Sequence, residues 1–261
     1  MDILQAIILG VVEGLTEFLP ISSTGHLILA TDLLQISSTE FVKSFTVLIQ
    51  SGAIIAVLLI YWRTFLEHKN LVLKVITAFI PTAVIGLLLY PIIKDFLLGS
   101  TAVVLWALFI GGVVLILLEM YFKRAKKDEN KHNDLSLISY KQSLIIGVFQ
   151  AISVIPGTSR ALATIFGGLA AGLGRRNAVE FSFLLAIPTM FAATALDLSE
   201  SSFNFTNQEW MVLGIGFTTS FIVAYFVIKW FIAYISHHTF TVFGVYRIII
   251  SIALYIAIYI F

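Results

Sequence analysis

Glu13-Gly-Leu-Thr-Glu-Phe-Leu-Pro-Ile-Ser-Ser-Thr-Gly-His-Leu27 places two carboxylates, the hydroxyl run Ser22-Ser23-Thr24 and a histidine inside a chain that is otherwise almost all hydrocarbon. Ionisable groups at such depth are costly in a bilayer, so function is their first explanation. The stretch also contains Pro20 and Gly25, which break any helix that would carry it straight across. Helix, polar turn, helix is the reading, and it suits a re-entrant hairpin that enters and leaves on one face. Irregular backbone at membrane depth is tolerated only where protein or a cavity surrounds it.

The composition of the whole 261-residue chain sets the environment. Hydrophobic residues make up 59% and charged residues 12%, with a mean hydropathy of +0.99, which leaves too little polar surface for a water-soluble globule. A polytopic membrane protein is expected. The net charge of +1 argues against nucleic acid, and the absence of cysteine excludes disulfides, thiolate metal sites and a cysteine nucleophile. Asp2 stands where a basic leader region belongs and the first Lys or Arg is Lys43, so the N-terminal apolar stretch is expected to be mature protein.

Six stretches are long enough for a hydrocarbon core of roughly 30 Å, namely 41 to 62, 75 to 93, 102 to 122, 178 to 197, 210 to 230 and 239 to 261. Four are too short or too broken: 3 to 19, 22 to 36, 141 to 155 and 158 to 173. They form two hairpins, and the hairpins are related. Gly10-Val-Val-Glu-Gly-Leu-Thr16 matches Gly147-Val-Phe-Gln-Ala-Ile-Ser153 at a separation of 137, while Pro20 and Pro156, and Phe45-Thr-Val-Leu48 and Phe181-Ser-Phe-Leu184, stand 136 apart. The chain reads as one membrane domain, 1–261, built from repeat one (1–122), a charged cytoplasmic linker (123–140) and repeat two (141–261). Each copy holds one hairpin and three crossings. Three is odd, so the copies take opposite orientations. The fold class is therefore all-α, an inverted repeat of six transmembrane helices plus two re-entrant hairpins, with its site near the midplane.

Loops at 63 to 74, 123 to 141, 174 to 177 and 229 to 238 together carry 12 of the 16 Lys and Arg, against Lys43 and Lys94 opposite. The positive-inside rule makes the first side cytoplasmic and puts both termini outside. The first hairpin then opens to the exterior and the second to the cytoplasm.

Glu13 and Glu17 are four apart and share one helix face. Two carboxylates there need a shared proton, a cation or an arginine. Carboxylate oxygens favour hard ions, so Mg²⁺ or Ca²⁺ is the expected metal. Ser22, Ser23 and Thr24 open a second short helix whose free N–H groups suit an anion, and His26 follows within a turn as a donor or an acid–base group. The second hairpin, Pro156-Gly-Thr-Ser-Arg-Ala-Leu-Ala-Thr164, adds Gly157, Thr158, Ser159, Arg160 and Thr164. Arginine presents a planar fork matched to phosphate oxygens. A carboxylate pair, a hydroxyl turn and an arginine turn together describe phosphoryl transfer. Expected roles are Glu17, Ser23, His26 and Arg160 in catalysis, Ser22, Thr24, Gly157, Thr158, Ser159 and Thr164 on the substrate, and Glu13 with Glu17 on the metal. Ser23, His26 and water remain open as the attacking group.

At these residues, and at Phe181-Ser-Phe-Leu-Leu-Ala-Ile-Pro188 and Tyr246-Arg247-Ile248, the chain resembles the undecaprenyl-diphosphate phosphatases, also called bacitracin-resistance proteins. The resemblance implies removal of the terminal phosphate of undecaprenyl diphosphate at the outer face of the bacterial inner membrane, recycling the lipid carrier for peptidoglycan. It also implies a divalent cation. Two departures are visible: Ala161 stands where that pattern has a second serine, and Gln50-Ser51-Gly52 replaces Gln-Leu-Gly. Expected partners are a polyprenyl diphosphate and the bilayer, and the sequence leaves a homodimer open. Inverted repeats with broken helices are also a transporter hallmark, so a flippase for the same class of lipid is the alternative, ahead of a non-catalytic scaffold.

Overall fold

Residues 1–92, 100–124, 134–200 and 205–259 are described by the computed structural model, and the regular elements among them are all helical. In chain order these are α1 (Ile3–Thr16), α2 (Ser23–Leu33), α3 (Glu40–Glu67), α4 (Lys69–Ile92), α5 (Thr101–Arg124), α6 (Tyr140–Gln150), α7 (Arg160–Ala170), α8 (Arg175–Glu200), α9 (Asn207–Ile235) and α10 (Thr241–Tyr259). Five of them, α3, α4, α5, α8 and α9, are long and apolar enough to cross a bilayer. This is the architecture of a multi-pass membrane protein. Lys94, most of the linker at 125–133 and the loop at 201–204 lie outside the described residues.

Local signals set the helix ends. Asp2 and Gln5 close a capping box on α1, as Ser139 and Gln142 do on α6, and each box satisfies two orphan N–H groups. α1 stops at Thr16, ahead of Pro20, and spans only about 21 Å. α2 and α7 have 11 residues each. The crossing expected at 239 to 261 is helical from Thr241, but its apolar stretch through Ile256 falls in the same short class as α1 and α7. Other helices run longer than hydropathy foretold. Arg63, Lys69 and Lys74, expected in a loop, are helical, because His68 alone separates α3 from α4, and Lys229 lies within α9. Long basic side chains reach the interface from a helix end, so the apolar window stops short of the helix.

Packing repeats along the chain. α1 lies against α9 and beside α2, α6 lies against α4 and beside α7, α3 crosses α8, and α5 pairs with α10. Exchanging the first five helices for the last five returns these pairings. Small residues permit the close approaches, as expected where no hydrophobic gradient drives helices together. A Cβ at Gly14 would stand 2.7 Å from the Ser220 carbonyl oxygen of α9, and one at Gly147 would overlap the Ala78 carbonyl of α4. Buried Phe18, Phe181, Phe183 and Phe231 fill the centre between these contacts.

Gly147→Ala is expected to destabilise the fold by about 1–3 kcal/mol through overpacking, whereas Gly86→Ala, which meets open space, should be neutral or stabilising by up to about 1 kcal/mol. Thermal unfolding of the two variants in the same detergent checks the contrast.

Candidate active site

The turns of the two short hairpins meet at a polar pocket of about 250 Å³. The first turn supplies Glu17, Ser22, Ser23 and Thr24, the second Ser153, Gly157, Ser159 and Arg160, and three long helices add Gln50, Thr82 and Thr189. Ser22 and Ser159 are the N-caps of α2 and α7 and carry φ angles of +70° and +74°. A left-handed φ on a residue with a Cβ costs on the order of 1–3 kcal/mol and persists where the surroundings over-determine it. Gly157, at φ +88°, presses against α5, and a Cβ there would sit 2.7 Å from the Val104 carbonyl oxygen. Both turns therefore deliver the first residue of a short helix, Ser23 and Arg160, to the pocket, along with N–H groups that have no partner inside the helix.

Glu17 joins the hairpins. Its Oε1 accepts from an Arg160 Nη at 3.1 Å, and its Oε2 accepts from Ser23 Oγ at 2.5 Å. Arg160 also donates to the Ser182 carbonyl at 2.9 Å and lies 5.7 Å from the centre of the Phe18 ring. Its Nε has no hydrogen-bond partner among the described residues. The arginine is thus held by protein on two sides with donor capacity left over. Removing one member of such a buried pair costs about 3–5 kcal/mol, because the other charge stays desolvated.

Glu13, one helical turn before Glu17, is fully buried and has both carboxylate oxygens without a hydrogen-bond partner among the described residues. Acceptors in that condition suit a proton or a cation. Described residues contain no group of three His, Cys, Asp or Glu, but Mg²⁺ commonly uses one or two carboxylates and fills its shell with water and substrate phosphate. Glu13 offers two free acceptor oxygens to such an ion, whereas both Glu17 oxygens already accept, from Arg160 and Ser23.

Glu13 does not line the pocket, and three other residues named from sequence do not either. His26 faces away from the pocket, with Nδ1 2.7 Å from the Ser22 carbonyl and Nε2 2.7 Å from the Tyr246 hydroxyl. A carbonyl only accepts, so Nδ1 carries the proton, and on a neutral ring Nε2 then accepts from Tyr246. Thr164 is fully buried, donating to the Arg160 carbonyl at 2.9 Å and touching Ser182 Oγ at 2.6 Å. It braces the first turn of α7. Thr158 faces an apolar groove between α5 and α7. Ala161 is fully buried and does not line the pocket.

Sequence reasoning gave no role to Gln50, Thr82, Thr189 and Gln150. Gln150 is fully buried and donates to Thr82 at 2.9 Å and Thr189 at 3.0 Å. Its place was readable, since it occupies the repeat position of Glu13; Thr82 and Thr189 each follow a proline in an apolar helix.

An all-helical, lipid-facing body that turns two broken hairpins, an arginine and a hydroxyl cluster onto one small polar cavity belongs to the class of membrane proteins that handle an anionic head group. The family model described as bacitracin resistance protein BacA matches residues 6–253, and the chain belongs to that family. A protein of Aquifex aeolicus named undecaprenyl-diphosphatase is 49% identical over 98% of both chains. One of the same name from Sulfurihydrogenibium is 49% identical over 98% of this chain and 99% of its own. A third, from Bdellovibrio bacteriovorus, is 45% identical over 99% of this chain and 97% of its own.

Ser22 makes no side-chain cap bond, so its φ rather than its hydroxyl dominates its structural cost. Ser22→Gly is expected to keep the melting temperature of the unaltered protein, while Ser22→Val lowers it by several degrees, as β-branched residues tolerate positive φ least. Differential scanning fluorimetry distinguishes the two.

Proposed function

We propose that this chain is an integral membrane phosphatase that removes the terminal phosphate of undecaprenyl diphosphate, returning the lipid carrier to cell-wall synthesis and conferring resistance to bacitracin. The observation that carries the reading is the Ser23–Glu17–Arg160 chain of contacts inside one polar pocket. Relatives at 45–49% identity bear the name undecaprenyl-diphosphatase.

Arg160 and the first-turn amides of α2, which has no side-chain cap, hold the diphosphate, with Ser159, whose hydroxyl caps α7 at Leu162, and Ser22, Thr24 and Gly157 around it. Arg160 stabilises charge on the phosphoryl oxygens as it grows. Ser23 Oγ attacks the terminal phosphorus while its proton passes to Glu17, and the bond from phosphorus to the bridging oxygen breaks. The lipid monophosphate leaves with that oxygen and takes the proton. Glu17 then takes a proton from water, whose oxygen attacks the phosphoserine, and Ser23 recovers the proton as inorganic phosphate departs. Support for Ser23 over His26 comes from their surroundings, since His26 Nε2 is engaged by Tyr246 and Ser23 already donates to a base. His26 then holds the Ser22 carbonyl, fixing the turn before the nucleophile. Glu13 and Glu17 would hold Mg²⁺ or Ca²⁺, which supplies positive charge against the terminal phosphate.

The two halves form an inverted repeat within the bacterial cytoplasmic membrane, with six crossings, two re-entrant hairpins, both termini outside and the active site reached from the outside. Recurrence of the same helix pairings in both halves supports that layout.

Phosphate release from farnesyl and undecaprenyl diphosphate by the purified protein tests the chemistry. Glu17→Gln and Ser23→Ala should each lower kcat by about 10²–10⁴-fold, and Arg160→Lys should lose activity strongly, because lysine keeps the charge but not the fork. Glu13→Gln should raise the metal concentration needed for half-maximal rate. Full activity in chelator would assign the carboxylate pair to a proton instead.

Topology has its own test. Gln208 and Lys141 are both exposed at the starts of helices, and the chain has no native cysteine. In intact spheroplasts an impermeant thiol reagent should label Gln208→Cys and not Lys141→Cys. Equal or reversed labelling would refute the orientation.

A further inference from the structure

Arg247, on α10, is the largest fully buried side chain among the described residues. It makes no ion pair among the described residues. Its guanidinium instead spends its donors on four backbone carbonyls: Nε to Leu108 at 3.2 Å, one Nη to Pro20 at 3.2 Å, and the other to Ala107 at 2.9 Å and Gly157 at 3.1 Å.

The identity of those carbonyls matters. Pro20 lies three residues before Ser23, and Gly157 three residues before Arg160, so counted from the helix starts the two occupy the same place in their respective hairpin turns, 137 residues apart and one residue off the Pro20–Pro156 match of the sequence. One planar group grips both turns at equivalent points and ties them to a third support, α5. A guanidinium is suited to this because its donors leave the plane in fixed directions, whereas an ammonium is a compact charge with three. Room for it is made on purpose-sized ground. A Cβ at Gly111 of α5 would intrude on the Arg247 guanidinium, and one at Gly112 would meet Arg247 Cβ at 3.1 Å and the Gly244 carbonyl at 2.7 Å. Neither Glu13 nor Glu17 touches Arg247, so it does not serve the carboxylates.

We propose that Arg247 is a positioning residue that fastens the turns of both hairpins into one rigid body and so fixes the placement of Ser23 relative to Arg160. The proposal rests on reading the polar pocket as the phosphatase site. Misplacing a nucleophile by about 1 Å can cost roughly 100-fold in rate, and the loss falls on kcat because phosphate-binding groups on each separate turn survive.

Two variants and two readouts test it in the full chain, purified and placed in nanodiscs. Arg247→Lys keeps a buried cation but cannot span both turns. Gly111→Ala leaves Arg247 in place and displaces its guanidinium from the other side. Phosphate release from farnesyl diphosphate gives kcat and KM. Spin labels on Leu15→Cys and Ile155→Cys, both exposed positions flanking the turns, report the distance between hairpins by pulsed electron paramagnetic resonance, independently of catalysis. Expected for both variants is a kcat lower by roughly 100-fold with KM within about threefold of the unaltered value, and a broadened distance distribution. A near-normal kcat in folded Arg247→Lys overturns the proposal, as does a lost kcat with an unbroadened distribution. If Arg247→Lys does not fold, Gly111→Ala decides alone by the same two criteria. An unaltered protein that releases no phosphate would instead overturn the phosphatase reading, and the distance measurement would still decide the clamp.

Discussion

Glu17 and Arg160 meet at 3.1 Å across 143 residues of sequence, with side chains only 5% and 8% exposed. Either group alone at that depth would be prohibitive. Together, and with Ser23 and the Ser182 carbonyl taking up further hydrogen-bonding capacity, they form the ion pair that joins the two hairpins. Solvent-poor surroundings strengthen each of these contacts, and they also strengthen any contact to an incoming anion. The pair therefore couples fold to chemistry: the hairpins dock because the charges meet, and the charges are available to a phosphate because the hairpins dock.

Two features keep the docked state ready for a ligand. Ser22 and Ser159 hold their turns in left-handed conformations that the chain would relax if it were free. Among the described residues Glu13 keeps two unpartnered acceptors and Arg160 an unpartnered Nε. Strain and unsatisfied groups of this kind are where a local rule yields to function. The surrounding helices supply the stability that offsets them, through the glycine-mediated contact of α1 with α9 and of α6 with α4.

Much of this was legible in the sequence because the bilayer makes polarity informative. A polar residue in an apolar segment must be satisfied or used, so Glu13, Glu17, Ser23 and Arg160 could be singled out without a structure, and the hairpins followed from Pro20 and from Pro156-Gly157. What stayed hidden depended on direction. His26 and Thr164 have functional-looking side chains at functional-looking spacing, yet one turns to Tyr246 and the other to Ser182, and spacing along a chain does not fix which neighbour a side chain finds. Arg247 was visible only as part of a motif, because its partners are backbone carbonyls from three distant segments and backbone carries no sequence signal. Helix ends were also misplaced around His68 and Lys229, where basic side chains lie on helices that hydropathy had closed too early.

On the proposed two-repeat organisation, the pairing of halves accounts for the chemistry of the pocket. Ser23 and Arg160 are each the first residue of the short helix that follows a strained cap, at a separation of 137 that also relates Glu13 to Gln150 and Glu17 to Val154. Folding brings these equivalent positions face to face around Arg247, which bonds Pro20 and Gly157, themselves equivalent. Strict identity of the two halves would place two serine hydroxyls and two carboxylates on one cavity of about 250 Å³, with two further carboxylates a helical turn away, and like charges at that distance in low dielectric cannot all ionise. Divergence removes the conflict. One half keeps the acids and the hydroxyl, while the other carries a neutral Gln150 that bonds Thr82 and Thr189 and an arginine where its counterpart has serine. A symmetric frame with asymmetric occupants leaves a cavity with an acceptor wall and a donor wall, the arrangement a phosphoanhydride needs if one wall is to attack it and the other to hold it.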